Sequence, residues 1–215
     1  TSVVMDAANA HNRTIQATGG GNYTIVDTVA NLSSANTFAG TAAADVIANV
    51  QAGDKTISDT TLHEDVTKVD LNAQTSVVMN KANVDGRTIQ ATGGGNYTVV
   101  DTVANLATIT ITGTAVADII ANVQSGDKTI SDTTLDSDVT IIDLNGQTGV
   151  VMDKANAHER TIQATGGGDY TIVDTVANLA SITLAGTTAS SVTANVQAGD
   201  KTISDTTLDS DVTII

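Results

Sequence analysis

Short stretches of alternating apolar and polar residues follow one another along the chain, and turn-forming residues separate them. In the stretch at residues 23–28, Tyr23 and Ile25 alternate with a threonine before an Asp-Thr pair. A period of two is typical of a half-buried β-strand, and pairs such as Asp-Thr mark tight turns. We therefore predict an all-β fold in which helix is confined to single turns. The best candidate for such a turn is residues 27–32, with Asp27 as its N-cap.

These stretches are organised in three long repeats. Residues 75–79 copy residues 1–5, and residues 148–152 resemble both. We expect repeats at residues 1–74, 75–147 and 148–215, of which the third is incomplete. Within each repeat we predict seven segments of about ten to twelve residues, and each segment would be one strand followed by one turn.

Two architectures accommodate seven short strands in each repeat. In a β-solenoid (β-helix), each segment would stack on the segment two or three places later. In an array of tandem β-sandwich domains, each repeat would fold by itself. The solenoid is favoured because the segments resemble one another, aromatic residues make up 2% of the chain, and no linker interrupts residues 139–152. We expect one continuous β-solenoid, and tandem β-sandwich domains are the alternative.

Charge and composition argue against several classes of function. The formal net charge of −15 argues against nucleic acid and against anionic membranes, since both bind basic patches. No apolar run approaches the roughly 18 residues of a membrane span, so we expect no membrane insertion. The chain has no cysteine, which excludes disulfides, thiol redox motifs and thiolate metal sites.

The motif at residues 23–32, Tyr-Thr-Ile-Val-Asp-Thr-Val-Ala-Asn-Leu, recurs almost unchanged from Tyr97 and from Tyr170. It resembles the Asp-Thr-x-x-Asn-Leu repeats of type I-secreted, haemolysin-like adhesins, which are giant bacterial surface proteins. The resemblance implies an extracellular or cell-surface stalk, filament or adhesive region without catalysis. The Gly-Gly-x-Gly-x-Asp nonapeptide that binds calcium in such proteins is absent from this chain, so no calcium ligands follow from the resemblance.

Aspartates are the best candidate metal ligands of the chain. Two acidic clusters are rich in oxygen ligands, as a calcium loop is, but they lack the twelve-residue spacing and the terminal Glu of an EF-hand. We expect at most a weak calcium site there, and no other cofactor. The residues of these clusters are Asp136, Asp138, Asp143, Asp209 and Asp211.

A further aspartate ends each copy of the strand motif, and a threonine follows it in every copy. This pair favours a corner cap over a ladder of calcium ligands. These residues are Asp27, Asp59, Asp101, Asp132, Asp174 and Asp205.

Catalytic residue types do not form a unique cluster in the sequence. His11 and His158 stand where the middle repeat has Asp85, which indicates exposed turn residues. The glycine triplets lack the lysine of a phosphate-binding loop and are read as tight corners. An arginine recurs once per repeat, which suits a structural salt bridge or a solubilising strand flank. We therefore expect no enzyme.

The partners are expected to be neighbouring repeats or copies of the chain, with surface carbohydrate as a further candidate. A β-helix that binds or acts on polysaccharide is the alternative function. A weaker alternative is ice binding through threonine rows such as the one at residues 108–112.

Overall fold

The computed structural model describes residues 2–33, 36–197 and 208–215. Most of its strands are only two to five residues long. The strands are β1 (Ser2–Met5), β2 (Thr14–Ile15), β3 (Asn22–Thr28), β4 (Ala39–Gly40), β5 (Asp45–Asn49), β6 (Lys68–Asp70), β7 (Val77–Met79), β8 (Thr88–Gln90), β9 (Tyr97–Thr102), β10 (Thr112–Gly113), β11 (Asp118–Asn122), β12 (Ile141–Asp143), β13 (Val150–Met152), β14 (Thr161–Gln163), β15 (Tyr170–Thr175), β16 (Ala185–Gly186) and β17 (Ser191–Asn195).

Helix is confined to single turns, as predicted. Each α turn begins at a side chain that accepts a hydrogen bond from the N–H three residues later, as Asp153 does from Asn156 at 3.0 Å. The α turns are α1 (Ala7–Ala10), α2 (Lys81–Val84) and α3 (Lys154–Ala157). The 3-10 turns are Ala30–Leu32, Ile57–Asp59, Asn105–Ala107, Ile130–Asp132 and Asn178–Ala180.

The turn predicted at residues 27–32 is present as the 3-10 turn Ala30–Leu32, but Asp27 is not its N-cap. Val29 occupies the capping position. The Asp27 carboxylate instead accepts hydrogen bonds from the N–H of Thr28 at 2.7 Å and from the side chain of Asn31 at 2.8 Å. The aspartate therefore fixes the corner that follows the strand, not the first turn of the helix.

The chain divides into two compact units, which do not coincide with the repeats. Unit 1 comprises Thr1–Val100 and Ile109–Ala117, and unit 2 comprises Asp101–Thr108 and Asp118–Ile215.

Unit 1 contains a parallel sheet with the strand order β1-β3-β5-β6-β8-β10. Paired residues of neighbouring strands lie 20 to 24 residues apart in the sequence, as in the pairs Val3–Tyr23, Ile47–Lys68 and Thr88–Thr112. A parallel neighbour requires the chain to cross back to the same end of the sheet. The intervening residues of unit 1 supply a second row of parallel pairs.

That second row contains the pairs β2–β4 and β7–β9 and a parallel bridge from Thr56 to Val78. The residues between the strands of the first sheet thus form parallel pairs of their own. Strand β7 copies β1 in sequence but lies in the other row.

Unit 2 repeats these pairings. Strands β11, β12, β14 and β16 pair in that order, and β13, β15 and β17 form a second parallel sheet. The registers match those of unit 1, for example Ile142 with Ile162 and Val150 with Tyr170. The predicted all-β fold is confirmed, and its sheets are parallel.

Small aliphatic side chains fill the interior of each unit. Ala48, Val69 and Ile89 are consecutive partners in unit 1, and all three are buried. Stacking such residues on the equivalent residue of the next strand lets the chain form a core with few aromatic rings.

Among the residues that the structure describes, no helix has both the length and the apolar character needed to cross a membrane.

Candidate functional site

A cleft of about 590 Å³ in unit 2 gathers ionisable side chains beside the helical turn α3. Acidic, basic and imidazole groups lie close together there, so the cleft is a candidate functional site. The ionisable residues that line it are Asp153, Lys154, His158, Glu159, Arg160 and Asp174.

The two aspartates of this cleft hold the start of α3. Asp153 caps the turn, and Asp174 accepts a hydrogen bond from the N–H of Lys154 at 2.9 Å. The other oxygen of Asp174 accepts from the N–H of Thr175 at 2.7 Å and from the side chain of Asn178 at 2.6 Å. Both oxygens of Asp174 are therefore occupied by donors of the chain itself, which fits a role in holding the turn.

His158 is held in the same way by a backbone group. Its Nδ1 accepts a hydrogen bond from the N–H of Thr183 at 3.0 Å. His11 accepts from the N–H of Thr37 at 3.0 Å, and in the middle repeat Asp85 accepts from Thr110 at the same distance. Histidine and aspartate are interchangeable here because each supplies one acceptor to a backbone donor about 25 residues later.

Among the ionisable residues that line the cleft, Glu159 is the exposed one. Its side chain is 78% exposed, and its carboxylate lies 3.8 Å from Nε2 of His158. The equivalent residues of the other repeats are Asn12 and Gly86. Glu159 is therefore a feature of the third repeat alone.

Arg160 is buried and clamps α3 to the preceding segment of unit 2. Its guanidinium donates to the carbonyl oxygens of Val139 at 2.9 Å, Asp136 at 2.9 Å and Ala155 at 2.8 Å. Burial lowers the pKa of Arg160, and the carboxylates of Asp136 and Asp153 partly oppose that shift. The guanidinium binds mainly backbone carbonyls, so the predicted role in a salt bridge is replaced by that of a clamp between segments.

Arg87 forms the same clamp in unit 1. It donates to the carbonyl oxygens of Val66 at 3.0 Å and His63 at 3.1 Å, both on the preceding segment. Burial lowers its pKa as well.

Two buried asparagines, which sequence reasoning missed, join neighbouring segments at a second point. Asn83 accepts from the N–H of Leu62 at 3.1 Å and donates to the carbonyls of Ile57 and Thr60 at 2.9 and 2.7 Å. Asn156 repeats these contacts in unit 2, beginning with the N–H of Leu135 at 2.9 Å. The signal in the sequence was an asparagine at the same position of all three repeats.

Asp27, Asp101 and Asp174 act as the corner caps that were predicted, whereas Asp59 and Asp132 are the last residues of 3-10 turns. Asp101 accepts from the N–H of Thr102 and the side chain of Asn105, as Asp27 and Asp174 do in their own repeats. Burial alone would raise the pKa of Asp27, but hydrogen bonds from Asn31, Thr28 and Ala7 hold it below its usual value. Asp205 lies outside the described residues.

The aspartates predicted as weak calcium ligands lie at three places, which are residues 136–138, the end of strand β12 and residues 209–211. Asp136 accepts from the N–H of Asp138 at 3.0 Å, and Asp209 accepts from that of Asp211 at 3.1 Å. Asp143 ends strand β12 and accepts from the N–H of Asn145 and of Thr165, both at 3.0 Å.

Within residues 2–33, 36–197 and 208–215, no three His, Cys, Asp or Glu side chains form a group that could hold a metal ion. Calcium at the five aspartates remains a prediction.

The threonines that suggested ice binding do not form a continuous row in unit 1. The register places Ile47, Lys68, Thr88 and Thr112 one above the other on neighbouring strands. Lys68 also forms an ion pair with Asp45 at 2.8 Å. A lattice of identical threonines is therefore interrupted by an aliphatic and a charged residue.

Each repeat buries one tyrosine whose hydroxyl binds the backbone. Tyr97 is fully buried, and its hydroxyl donates to the carbonyl of Thr114 at 3.1 Å. Burial raises the pKa of Tyr97 to about 12, from its ordinary value of 10.0. The folded state therefore favours the neutral phenol.

We expect the protein to lose stability as the pH rises from about 10 to about 12, because unfolding releases a proton that the folded state retains. Below pH about 10, the raised pKa of Tyr97 contributes its full share of the free energy of unfolding, which is about 2 kcal/mol. Tyr97→Phe should melt lower than the wild type at neutral pH, by about 1 kcal/mol for the lost hydrogen bond. Because the wild type loses about 2 kcal/mol over this range and the variant does not, the difference in melting temperature should shrink and then change sign as the pH approaches about 12. A constant difference across this range would contradict the assignment.

Comparisons of the chain with protein-family models, with curated proteins and with solved structures give no match.

Proposed function

We propose that the chain is a non-enzymatic, extracellular repeat segment that folds as a β-solenoid and serves as a stalk, filament or adhesive surface. The observation that carries the proposal is that recurring polar residues join neighbouring segments of the chain. Asn83 and Arg87 in unit 1, and Asn156 and Arg160 in unit 2, bind backbone groups of the preceding segment. Polar chemistry that recurs once per repeat and joins neighbouring segments suits a structural array.

The solenoid architecture is supported by the direction and spacing of the strand pairs. All the strand pairs given above are parallel, and the partners lie 20 to 25 residues apart, as in Val3–Tyr23 and Thr14–Ala39. An immunoglobulin-like sandwich would instead need antiparallel neighbours and one closed domain in each repeat.

An extracellular location is supported by the motif that resembles the secreted adhesins and by the acidic, cysteine-free composition. In that motif the aspartate and the asparagine bind each other, as in the 2.8 Å contact between Asp27 and Asn31. The motif thus has a structural use as a rigid corner. Such a corner suits a long array without linkers.

A polysaccharide-binding or polysaccharide-active surface is the second candidate, and the cleft beside α3 is the observation that favours it. The cleft combines the exposed Glu159 with His158 in the third repeat only. An exposed carboxylate in a groove is one of the two that an acid–base mechanism on a sugar uses.

Turnover assays on neutral and acidic polysaccharides separate the two candidates. We expect no products from the wild-type chain. Turnover that Glu159→Gln abolishes would overturn the structural proposal, with Glu64→Gln as the matched control because Glu64 is also exposed but lies outside the cleft. Carbohydrate binding that is lost in Glu159→Gln and kept in Glu64→Gln would favour the binding surface.

A further inference from the structure

A groove of about 410 Å³ in unit 1 is separate from the cleft beside α3. The buried side chains of Tyr23, Ile25 and Val46 line its inner side. Strand β4 and the residues that follow it, up to Ala43, form one wall, and the segment 64–67 forms the other. A pocket with an apolar inner side and a few polar groups at its walls is the usual form of a ligand site.

The side chains that distinguish this groove are rare in the chain. Phe38 is the only phenylalanine of the sequence, Glu64 is one of its two glutamates, and both line the groove. The Phe38 ring contacts the ring of His63 edge to face, with 5.2 Å between the ring centroids. His63 is held in turn by the N–H of Asp65, which donates to Nδ1 at 3.1 Å. The aromatic ring is therefore positioned by a neighbour that belongs to the opposite wall.

The other repeats do without these two side chains. In the third repeat Leu184 stands where Phe38 does, and Ser210 stands where Glu64 does. Leu184 and Ser210 line an equivalent groove of about 280 Å³ in unit 2. The middle repeat has isoleucine and serine at the two positions. The repeat fold thus requires neither a phenyl ring nor a glutamate here, which indicates that the first repeat uses them for something else.

The charged side chains that line the groove are acidic. They are Glu64 and Asp65, and both are exposed. Burial raises the pKa of Tyr23, and the negative charge of Asp65 raises it further, so the field of this carboxylate reaches the inner side of the groove. Among the described residues, no lysine or arginine lines the groove. The groove therefore favours a positively charged ligand.

The wall formed by β4 offers backbone groups as well. Within the part of the chain that the structure describes, β4 pairs with β2 and with no other strand. Its residues Ala39 and Gly40 are exposed. A strand with one open edge can form hydrogen bonds with the backbone of an extended peptide. A peptide therefore uses more of this groove than a free cation does.

We propose that the groove binds a basic segment of a partner protein, with one arginine side chain inserted between Phe38 and the carboxylates of Glu64 and Asp65. The aliphatic part of the arginine contacts the apolar inner side, and the guanidinium stacks on the Phe38 ring. The guanidinium also pairs with the carboxylates through charge-assisted hydrogen bonds. The backbone of the segment lies along β4. The inference rests on the proposed role as an adhesive surface and names the chemistry of the partner.

A nuclear magnetic resonance titration with a short peptide tests the site. The probe is a pentapeptide with arginine at its centre, flanked by glycine and serine, and the control peptide has neutral citrulline in place of the arginine. At low salt we expect the arginine peptide to shift the amide signals of residues 38–43 and 64–67, with a dissociation constant of about 1 mM or lower. The citrulline peptide should bind about fivefold more weakly, and salt should weaken binding of the arginine peptide. Equal binding of the two peptides, or shifts that lie elsewhere, overturn the inference.

Two variants give the groove the side chains of the third repeat, which should preserve the fold, as circular dichroism checks. We expect Phe38→Leu and Glu64→Ser each to weaken binding of the arginine peptide by about threefold to fivefold. Asp132→Ser is the matched control and should bind like the wild type, because it removes the same charge from an exposed position of unit 2 outside the groove. An equal loss in Asp132→Ser and Glu64→Ser would show that net charge alone attracts the peptide, and would overturn the inference.

Carbohydrate is the other class of ligand that binds beside aromatic rings and carboxylates. Shifts at residues 38–43 that a neutral oligosaccharide such as maltohexaose produces and the arginine peptide does not would assign the groove to sugar instead. That result overturns the inference. It would leave the proposed structural function standing, since the structural function fails on polysaccharide turnover and not on peptide binding.

Discussion

The middle repeat, residues 75–147, is expected to be largely unfolded at room temperature when it is expressed alone, whereas the full chain unfolds cooperatively on heating. In an array whose segments contact only their neighbours, stability is the sum of weak intrinsic terms and favourable interface terms. A single repeat loses the interface at each of its ends, and it keeps the full entropic cost of ordering its backbone.

The contacts that the isolated repeat would lose at its start are known in unit 1. Asn83 binds Leu62, Arg87 binds Val66, and a bridge joins Val78 to Thr56, all across the boundary at residue 75. In the full chain Val77, next to this bridge, is fully buried. The excised repeat would expose that apolar surface in turn.

Melting curves of residues 75–147, residues 1–147 and residues 1–215 measure this dependence. We expect the melting temperature and the cooperativity to rise with each added repeat, as they do in other arrays of stacked repeats. Equal melting temperatures for the three fragments would contradict the solenoid and favour repeats that fold as separate domains.

The strands could be predicted from the sequence because their pattern is local. Tyr23 and Ile25 alternate with polar residues in a segment that ends at a recognisable turn, and the structure places β3 there. The α turns could not be predicted in this way. Each of them is four residues long, which is too short for the period of 3.6 residues that identifies a helix.

The residues that join the segments were harder to assign from the sequence. An asparagine such as Asn83 looks like an ordinary turn residue, since turns favour asparagine whether or not it is buried. Its role follows from partners 21 to 26 residues earlier in the chain. Those partners can be identified only once the spacing between stacked segments is known, and the sequence left that spacing open between two and three segments.

The cleft beside α3 depends on the same spacing. Lys154 and Asp174 are 20 residues apart and meet because a stacked segment brings Asp174 to the start of α3. The sequence identified Asp174 as a corner residue, and that role is found. Its second contact, with the N–H of Lys154 at the start of α3, could be predicted only with the register of the parallel strands.

Gly168→Ala is expected to destabilise the protein by about 3 kcal/mol, whereas Gly167→Ala should cost only about 1 kcal/mol. Both glycines have positive φ, +122° at Gly168 and +90° at Gly167, so alanine is strained at either position. They differ in their surroundings. A Cβ at Gly168 would overlap the carbonyl oxygen of Gln147, and a Cβ at Gly167 would meet nothing within 4 Å.

The overlap at Gly168 cannot be relieved by a side-chain movement, because the atom in the way belongs to the backbone of the neighbouring segment. That carbonyl also accepts the N–H of Asp169 at 3.2 Å, so moving it weakens the contact between two stacked corners. Thermal unfolding of the two variants measures the effect, and for a chain of this size we expect Gly168→Ala to melt about 10 °C below the wild type. Since the variants share the strain of positive φ, their difference isolates the close approach of the two backbones. Equal melting temperatures would show that the stacked corners are not in contact at Gly168.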